Sequence, residues 1–306
     1  MPKVIRVENL TKKFGDLIAV DNISFDVSKG EIFGILGPNG AGKTTCLEII
    51  EGIQKPTSGK TYVLDMDTHE YLDGVKSKIG VQLQASSYFD NLNLKEILEL
   101  FGSFYGLKAD ADKLLSIVGL TEKKKSLVRQ LSGGQKQRFS ICATLVNDPE
   151  IVFLDEPTTG LDPQARHNIW DFIRQINSRG KTIVLTTHYM EEAQVLCDRV
   201  AIMDLGKIAA MDTPVNLIHN LKASSVINFS TDCEVCLENI NEIPGVFEVN
   251  KGPNHSYSLK VTRGSEILPK IIALAQKDRF KIQDEEVLHA NLEDVFLELT
   301  GKKLRE

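Results

Sequence analysis

The chain has 306 residues, with 36 basic and 42 acidic side chains, a net charge of −6 and 42% hydrophobic residues. This length fits one large domain and one small one. The acidic balance argues against a general nucleic-acid binder, which usually has a basic surplus, so no nucleic-acid partner is expected. No apolar run approaches the ~20 residues that cross a bilayer, and the start lacks the hydrophobic stretch of a signal peptide. We therefore expect a soluble, intracellular protein.

Strand-like segments alternate with helical ones over residues 1–220. Ile23, Phe25 and Val27 alternate with polar neighbours, as on a half-exposed strand. Short continuous apolar runs are typical of strands that are buried on both faces. Such runs occupy residues 31–37, 151–155 and 182–187. Together they predict a parallel central sheet.

Helical periodicity between these strands completes an α/β pattern. The clearest helix is predicted from Pro163 to Arg179, because Asp162 can cap its start and Gly180 follows its end. Residues 85–147 show helical periodicity without a strand, which predicts a helical insertion. Its aromatic residues are expected to pack in the core, with a partner-binding surface as the alternative. They are Tyr88, Phe89, Phe101, Phe104 and Tyr105. Strands flanked by helices predict an α/β nucleotide-binding domain over residues 1–220.

The pattern changes after Pro214. Residues 225–306 follow the order strand, helix, strand, strand, helix, strand, helix, which predicts a small α+β domain of ferredoxin-like type. Cys233 and Cys236 form a C-x-x-C in a segment with the pattern of an amphipathic helix. A zinc or redox site is the alternative, but no second cysteine pair or nearby histidine completes a metal set. We expect both cysteines to be structural.

A glycine-rich sequence follows the apolar run at 31–37. It matches G-x-x-x-x-G-K-[ST] between a buried strand and an apolar helix, the context that this motif requires. The residues are Gly37, Pro38, Asn39, Gly40, Ala41, Gly42, Lys43 and Thr44. Backbone N–H groups of such a loop bind phosphate oxygens, Lys43 neutralises the terminal phosphates, and the Thr44 hydroxyl can ligate Mg²⁺. With Thr45, they form the predicted ATP-binding set.

The apolar run at 151–155 ends in a carboxylate, Asp155, and a second carboxylate, Glu156, follows it directly. Asp155 is predicted to hold Mg²⁺ or its waters, and Glu156 to orient and polarise a water against the γ-phosphate. Because adjacent strand residues point to opposite faces, the two are not expected to share one task. A solvated strand end is the alternative. The phosphate-binding loop in the same chain favours the catalytic interpretation.

A second possible anion site begins at residue 131. Leu131, Ser132, Gly133, Gly134 and Gln135 read L-S-G-G-Q. Ser132 and Gln135 fit a capping box, and the two glycines leave helix N–H groups open. This segment resembles the signature sequence of the ATP-binding-cassette (ABC) ATPases. The resemblance extends over about 210 residues of the predicted domain at 1–220.

The resemblance implies roles for further residues. Phe14 is placed like the aromatic residue on which adenine stacks, and Gln84 resembles the Q-loop glutamine that touches Mg²⁺ and takes part in catalysis. Gln82 is a rival, because Leu83 replaces the usual proline. Residues 160–162, which end in Asp162, resemble the D-loop. His188 resembles the switch histidine that contacts the γ-phosphate, with a polar strand cap as the alternative.

The family implies a working assembly. Two domains meet head to tail, so each ATP lies between the phosphate-binding loop of one copy and the signature of the other. One copy of each motif implies a homodimer or a heterodimer. Residues 291–301 resemble the ending of ATPases that serve separately encoded ABC-2-type exporters, with a plain amphipathic helix as the alternative. The C-terminal domain is expected to regulate or stabilise the dimer.

The resemblance thus implies an ATP-hydrolysing subunit that energises a transmembrane permease, most simply for export of a drug, antibiotic, lipid or similar compound. It would lie in the cytoplasm, on the inner face of the cell membrane, held there by the permease. An ABC importer subunit is the first alternative, and only residues 291–301 weigh against it. A non-transport ABC ATPase is the second, and the short spacing between Lys43 and Gln130 leaves no room for the coiled coils of chromosome-associated relatives.

Overall fold

The described residues, 2–83 and 88–301, form three β-sheets in a computed structural model of the chain. The chain divides into two compact units, Met1–Thr213 and Pro214–Glu306. Each unit has its own hydrophobic core. Gln84 lies outside the described residues.

The first unit contains the following strands and helices. They are β1 Lys3–Phe14, β2 Leu17–Ser28, β3 Ile32–Leu36, α1 Lys43–Ile50, β4 Ser58–Val63, β5 Met66–Asp67, α2 Leu72–Lys76, β6 Ile79–Gln82, α3 Leu94–Phe104, α4 Ala111–Ile117, α5 Gly133–Ala143, β7 Ile151–Asp155, α6 Pro163–Asn177, β8 Thr182–Thr187, α7 Met190–Leu196, β9 Arg199–Asp204 and β10 Lys207–Asp212.

The central sheet has the order β10-β9-β3-β8-β7-β6, and every neighbouring pair is parallel except β10 with β9. Every residue of β3, β7 and β8 is buried, which confirms the parallel sheet predicted from the three apolar runs. A second, antiparallel sheet has the order β2-β1-β4-β5. Because β3, β8 and β7 are parallel neighbours, their carboxyl ends meet at one edge of the sheet.

The helices also follow the sequence pattern, with one correction. In α6 the Asp162 side chain accepts a hydrogen bond from the N–H of Ala165 at 2.9 Å, as predicted. The insertion supplies α3, α4 and α5. The prediction that its aromatic residues pack in the core is wrong for Phe89, Phe104 and Tyr105, which are 54%, 68% and 45% exposed. The buried face of α3 is filled instead by its aliphatic residues: Leu94, Ile97 and Leu98.

The second unit is an α+β sandwich. Its elements are α8 Pro214–His219, β11 Ser225–Thr231, α9 Leu237–Asn241, β12 Val246–Lys251, β13 Ser256–Val261, α10 Gly264–Asp278, β14 Ile282–His289 and α11 Leu292–Thr300. The sheet order β12-β13-β11-β14 is antiparallel throughout, which is the ferredoxin-like arrangement predicted. Cys233 and Cys236 are exposed and precede α9, so the helix predicted over that segment begins later than expected.

Within residues 2–83 and 88–301, each helix is too short or too polar to cross a bilayer.

Candidate active site

The phosphate-binding loop, residues 37–42, turns from β3 into α1. Gly42 has a φ of 99°, and a Cβ there would lie 2.2 Å from the carbonyl oxygen of Ala19. A Cβ on Gly37 would lie 2.2 Å from the carbonyl oxygen of Met203. Neither position therefore accepts a side chain. The loop packs this closely against its neighbours, and its N–H groups at the start of α1 can receive a phosphate.

Lys43, the first residue of α1, is folded over this loop. Only 4% of it is exposed, and its ammonium donates to the carbonyl oxygens of Gly37 at 2.9 Å and Pro38 at 3.0 Å. Burial lowers the pKa of Lys43, and the neighbouring carboxylates of Glu156 and Asp155 oppose that shift. The ammonium is thus held where terminal phosphates of a nucleotide would compete for it.

Asp155, at the carboxyl end of β7, faces two hydroxyl groups. The Thr44 hydroxyl lies 3.2 Å from Oδ1 and 3.1 Å from Oδ2 of Asp155, and the Thr186 hydroxyl donates to Oδ1. Asp155 is buried. A carboxylate and a hydroxyl side by side are the hard oxygen ligands that Mg²⁺ prefers, so these residues fit the predicted ion.

Glu156 lies just beyond the strand and adopts a left-handed backbone with a φ of 47°. Its Oε1 lies 3.4 Å from Nζ of Lys43 and 3.3 Å from Nδ1 of His188, while the Thr159 hydroxyl donates to Oε2 at 3.1 Å. Burial raises the pKa of Glu156, but Lys43, His188 and Thr159 outweigh burial and hold the pKa below its ordinary value. The carboxylate is therefore ionised.

The predicted separation of Asp155 and Glu156 has a different cause from the one expected. Strand alternation does not govern Glu156, because β7 ends at Asp155. The left-handed turn directs Glu156 toward Lys43 and His188, whereas Asp155 faces Thr44. A non-glycine residue in this conformation costs about 1–3 kcal/mol, a strain that is common at active sites.

The signature and the D-loop line a common cavity of about 390 Å³. Ser132 caps α5 through a capping box with Gln135, as predicted. None of the residues 37–45 is among the described residues that line this cavity. The cavity brings together Ser132, Gly133, Gly134, Gln135 and Asp162. The predicted site residues therefore form two separate groups in one copy of the chain.

Two further candidates lie on β1 and β6, and Gln82 of β6 pairs with Leu154, the residue before Asp155. Phe14 is 46% exposed at the end of the β1–β2 hairpin, with the Lys12 ammonium 4.8 Å from its ring centroid. Gln82 is buried at the end of β6, and its amide donates to the carbonyl oxygen of Leu83. The choice between Gln84 and Gln82 as the Q-loop glutamine stays a prediction.

Comparison with known proteins identifies the family. A family model described as ABC transporter matches residues 20–159. The linearmycin resistance ATP-binding protein LnrL of Bacillus subtilis is 36% identical over 321 residues, covering 99% of this chain and 100% of that protein. The chain belongs to the ABC transporter family. The Nod factor export ATP-binding protein I of Cupriavidus metallidurans is 35% identical to this ABC protein and covers 100% of both chains.

Solved structures agree with the family. The cbiO1 protein of Clostridium perfringens, part of the ABC transporter complex cbiONQ, has a TM-score of 0.66 at 27% identity and covers 72% of this chain and 92% of its own. The ATP-binding cassette MJ0796, a dimer bound to ADP and Pi after hydrolysis, has a TM-score of 0.62 at 30% identity and covers 68% and 98%. The chain is an ABC ATPase, and the predicted fold class and nucleotide hydrolysis are confirmed.

Two buried polar residues, Thr186 and Glu192, gave no sequence signal. Thr186 accepts a hydrogen bond from the N–H of Glu156 at 3.0 Å besides donating to Asp155. Glu192 accepts hydrogen bonds from Thr158 and Trp170. Threonine in a buried strand and glutamate in a helix are ordinary in sequence, and only the folded structure shows which groups they touch.

Proposed function

We propose that this ABC ATPase energises a separately encoded permease that exports a drug, an antibiotic, a lipid or a similar compound. The support is that LnrL and the Nod factor export protein match over nearly the whole chain, so the similarity includes the unit Pro214–Glu306. One of these relatives is named for resistance and the other for export. We assign the ATPase domain to residues 1–220 and a regulatory or dimer-stabilising role to residues 225–306.

The observation that carries the catalytic assignment is the Glu156 carboxylate, which bridges Lys43 and His188. A bound nucleotide would draw the Lys43 ammonium toward its phosphates. Glu156, ionised and held by Thr159, then orients a water against the γ-phosphate and polarises it. His188 contacts the same phosphate. Mg²⁺, held by Thr44 and Asp155 with the Q-loop glutamine, would neutralise charge on the phosphate oxygens.

The signature glycines support a composite site made by two copies. Gly133 and Gly134 have no left-handed φ, and a Cβ on either would meet only ordinary contacts, at 3.8 Å and 3.4 Å. The chain itself therefore does not require glycine there. An outside ligand that approaches the N–H groups of α5 does require it. We propose that this ligand is ATP held by the phosphate-binding loop of a partner copy, either identical or homologous.

The permease is proposed to bind beside the insertion. An aromatic cavity of about 400 Å³ lies there, lined by apolar and small residues and by Gln82. Its aromatic lining residues are Tyr88, Phe101, Phe104 and Tyr105, and Leu83 also lines it. Phe104 and Tyr105 are exposed and Tyr88 and Phe101 partly exposed, and exposed apolar patches often mark interaction sites. Binding at this surface would hold the chain on the inner face of the membrane.

The permease assignment is tested by co-expressing the chain with the permease of a neighbouring reading frame and purifying the complex. Replacing Phe104 and Tyr105 by Ser should release the permease while basal ATP hydrolysis stays unchanged. Phe247→Ser, which removes an aromatic side chain exposed in the other unit, is the matched control and should keep the permease bound. Equal retention by all variants would contradict the proposed surface.

The direction of transport is tested in inverted membrane vesicles that contain the complex. ATP should drive labelled drugs or lipids into the vesicle lumen for the wild type, and Glu156→Gln should abolish that transport. Movement in the opposite direction would identify an importer and refute the export proposal.

A further inference from the structure

A buried carboxylate, that of Glu192, lies on the helix that follows His188. Glu192 belongs to α7, four residues after His188, and is 0% exposed. Its Oε1 accepts hydrogen bonds from the Thr158 hydroxyl at 2.9 Å and from the Trp170 indole N–H at 3.0 Å. Burial raises the pKa of this carboxyl, although the hydrogen bonds oppose the shift. The hydrogen bonds to this buried carboxyl offset the cost of burying it, so their loss should be costly.

The two donors lie on either side of the D-loop in the chain, Thr158 before it and Trp170 in the helix after it. Thr158 lies two residues after Glu156, and its carbonyl oxygen accepts from the N–H of Leu161 within the D-loop at 3.2 Å. Trp170 belongs to α6, the helix capped by Asp162. One oxygen atom of Glu192 is therefore the common acceptor for both ends of the D-loop region.

A second contact joins the same elements. The Arg166 guanidinium of α6 lies 4.9 Å from the ring centroid of Tyr189, and that ring lies 4.2 Å from the ring of His188. Tyr189 and α7 directly follow His188 in the chain. Tyr189 contacts α6 through Arg166, and α7 contacts it through the bond between Glu192 and Trp170. Packed elements of this kind move together rather than deform.

We propose that Glu192 is a positioning residue that couples His188 to the D-loop. When His188 contacts a γ-phosphate, the displacement passes through α7 and Glu192 to Thr158 and α6. The D-loop and the adjoining signature cavity then take the arrangement that receives the partner copy. This inference rests on the proposed roles of His188 and the D-loop.

Substitutions of Glu192 separate its oxygen from its charge. Glu192→Gln keeps an acceptor for Thr158 and Trp170 and should leave the kcat for ATP within about threefold of wild type. Glu192→Leu leaves these buried donors without the Glu192 acceptor and should lower kcat by about tenfold or more. The KM for ATP should change little in both variants, because the phosphate-binding loop is untouched.

Trp170 supplies a direct optical readout, because it is the chain's single tryptophan. In a Glu156→Gln background, which is expected to bind ATP without turning it over, ATP should change the emission of Trp170. Glu192→Leu should abolish that change. Thr158→Val keeps the bond between Trp170 and Glu192, so it should lower kcat while preserving the emission change.

Glu31→Leu is the matched control. Glu31 is also a buried carboxylate with two donors, the N–H of Ser28 and the Arg199 guanidinium, but it precedes β3, at the opposite end of that strand from the phosphate-binding loop. Its loss should lower the melting temperature without changing kcat or the Trp170 response. The proposal is overturned if Glu192→Leu and Thr158→Val keep wild-type kcat, if ATP leaves Trp170 emission unchanged, or if Glu31→Leu lowers kcat as much as Glu192→Leu. Wild-type turnover in Glu156→Gln would instead refute the catalytic assignment, and the Glu192 comparison would remain interpretable.

Discussion

Thr186→Val tests whether a single hydroxyl holds both carboxylates in place. The Thr186 hydroxyl donates to Asp155 and accepts the N–H of Glu156, and all three residues are buried. Valine has the same shape without the hydroxyl. The substitution therefore removes two hydrogen bonds and creates no cavity.

The cost follows from the two bonds. Losing a hydrogen bond to an ionised acceptor costs about 1.5–3 kcal/mol, and an unpartnered buried N–H costs about 1–3 kcal/mol. A total of about 3 kcal/mol would lower the melting temperature of the first unit by about 6–12 °C. Without its anchor, Glu156 is no longer held in its left-handed conformation, and a displaced catalytic group should lower kcat by about 10- to 100-fold.

The assay combines steady-state ATP hydrolysis with thermal unfolding followed by tryptophan emission, which reports the first unit because Trp170 lies there. Thr182→Val is the matched control on the same strand, since among the described residues its hydroxyl accepts the N–H of Gly30 alone, at the opposite end of β8 from Thr186. The control should lose about half as much stability and keep its kcat. Equal melting temperatures and wild-type kcat for Thr186→Val would refute the reasoning.

Three further substitutions test the site and its surroundings. Lys43→Ala should abolish binding of a fluorescent ATP analogue at micromolar concentration, and retained affinity would contradict the phosphate-loop assignment. Glu156→Gln should bind ATP, slow turnover by about 10²- to 10⁴-fold and elute as an ATP-dependent dimer, whereas near-normal turnover would reassign the carboxylates. Glu51 is 2% exposed, neither of its carboxyl oxygens has a hydrogen-bond partner among the described residues, and burial raises its pKa from 4.5 to about 8. Glu51 keeps its proton to a higher pH in the folded chain than in the unfolded chain. Its ionisation therefore leaves the free energy of unfolding unchanged below pH 4.5 and lowers it progressively between pH 4.5 and about pH 8. Glu51→Gln removes this penalty, which grows by about 1.4 kcal/mol for each pH unit above 4.5, so it should raise the free energy of unfolding by about 3 kcal/mol at pH 7 and leave it unchanged at pH 4. An equal gain at both pH values would show that ionisation is not the cause.

The sequence predicts the central sheet because burial on both faces leaves an unbroken apolar run. This signal located β3, β7 and β8. The antiparallel sheet β2-β1-β4-β5 was not predicted, because strands that face solvent on one side carry weaker patterns and because β1 pairs with β4 across a long stretch of chain. Strand order is set by such distant pairings, which local periodicity does not contain.

The site shows the same division. The phosphate-binding loop was predictable because close packing against Ala19 and Met203 admits only glycine at two positions. The conformation of Glu156 was not predictable, because β7 ends at Asp155 and Glu156 adopts a left-handed backbone instead of continuing the strand. The core prediction fails for Phe89, Phe104 and Tyr105, because composition alone does not tell that aliphatic residues already fill the buried face of α3.

Glu191 and Glu192 show why positioning residues escape sequence analysis. The two are identical in type and adjacent in α7, yet Glu191 is exposed and Glu192 is fully buried against Thr158 and Trp170. The signature glycines are the opposite case, because no described neighbour requires glycine at Gly133 or Gly134, and the reason proposed above is a ligand outside the chain. Glycines required by a ligand or by close packing leave a pattern in the sequence, whereas a buried glutamate such as Glu192 is recognisable only once the groups that it contacts are in place.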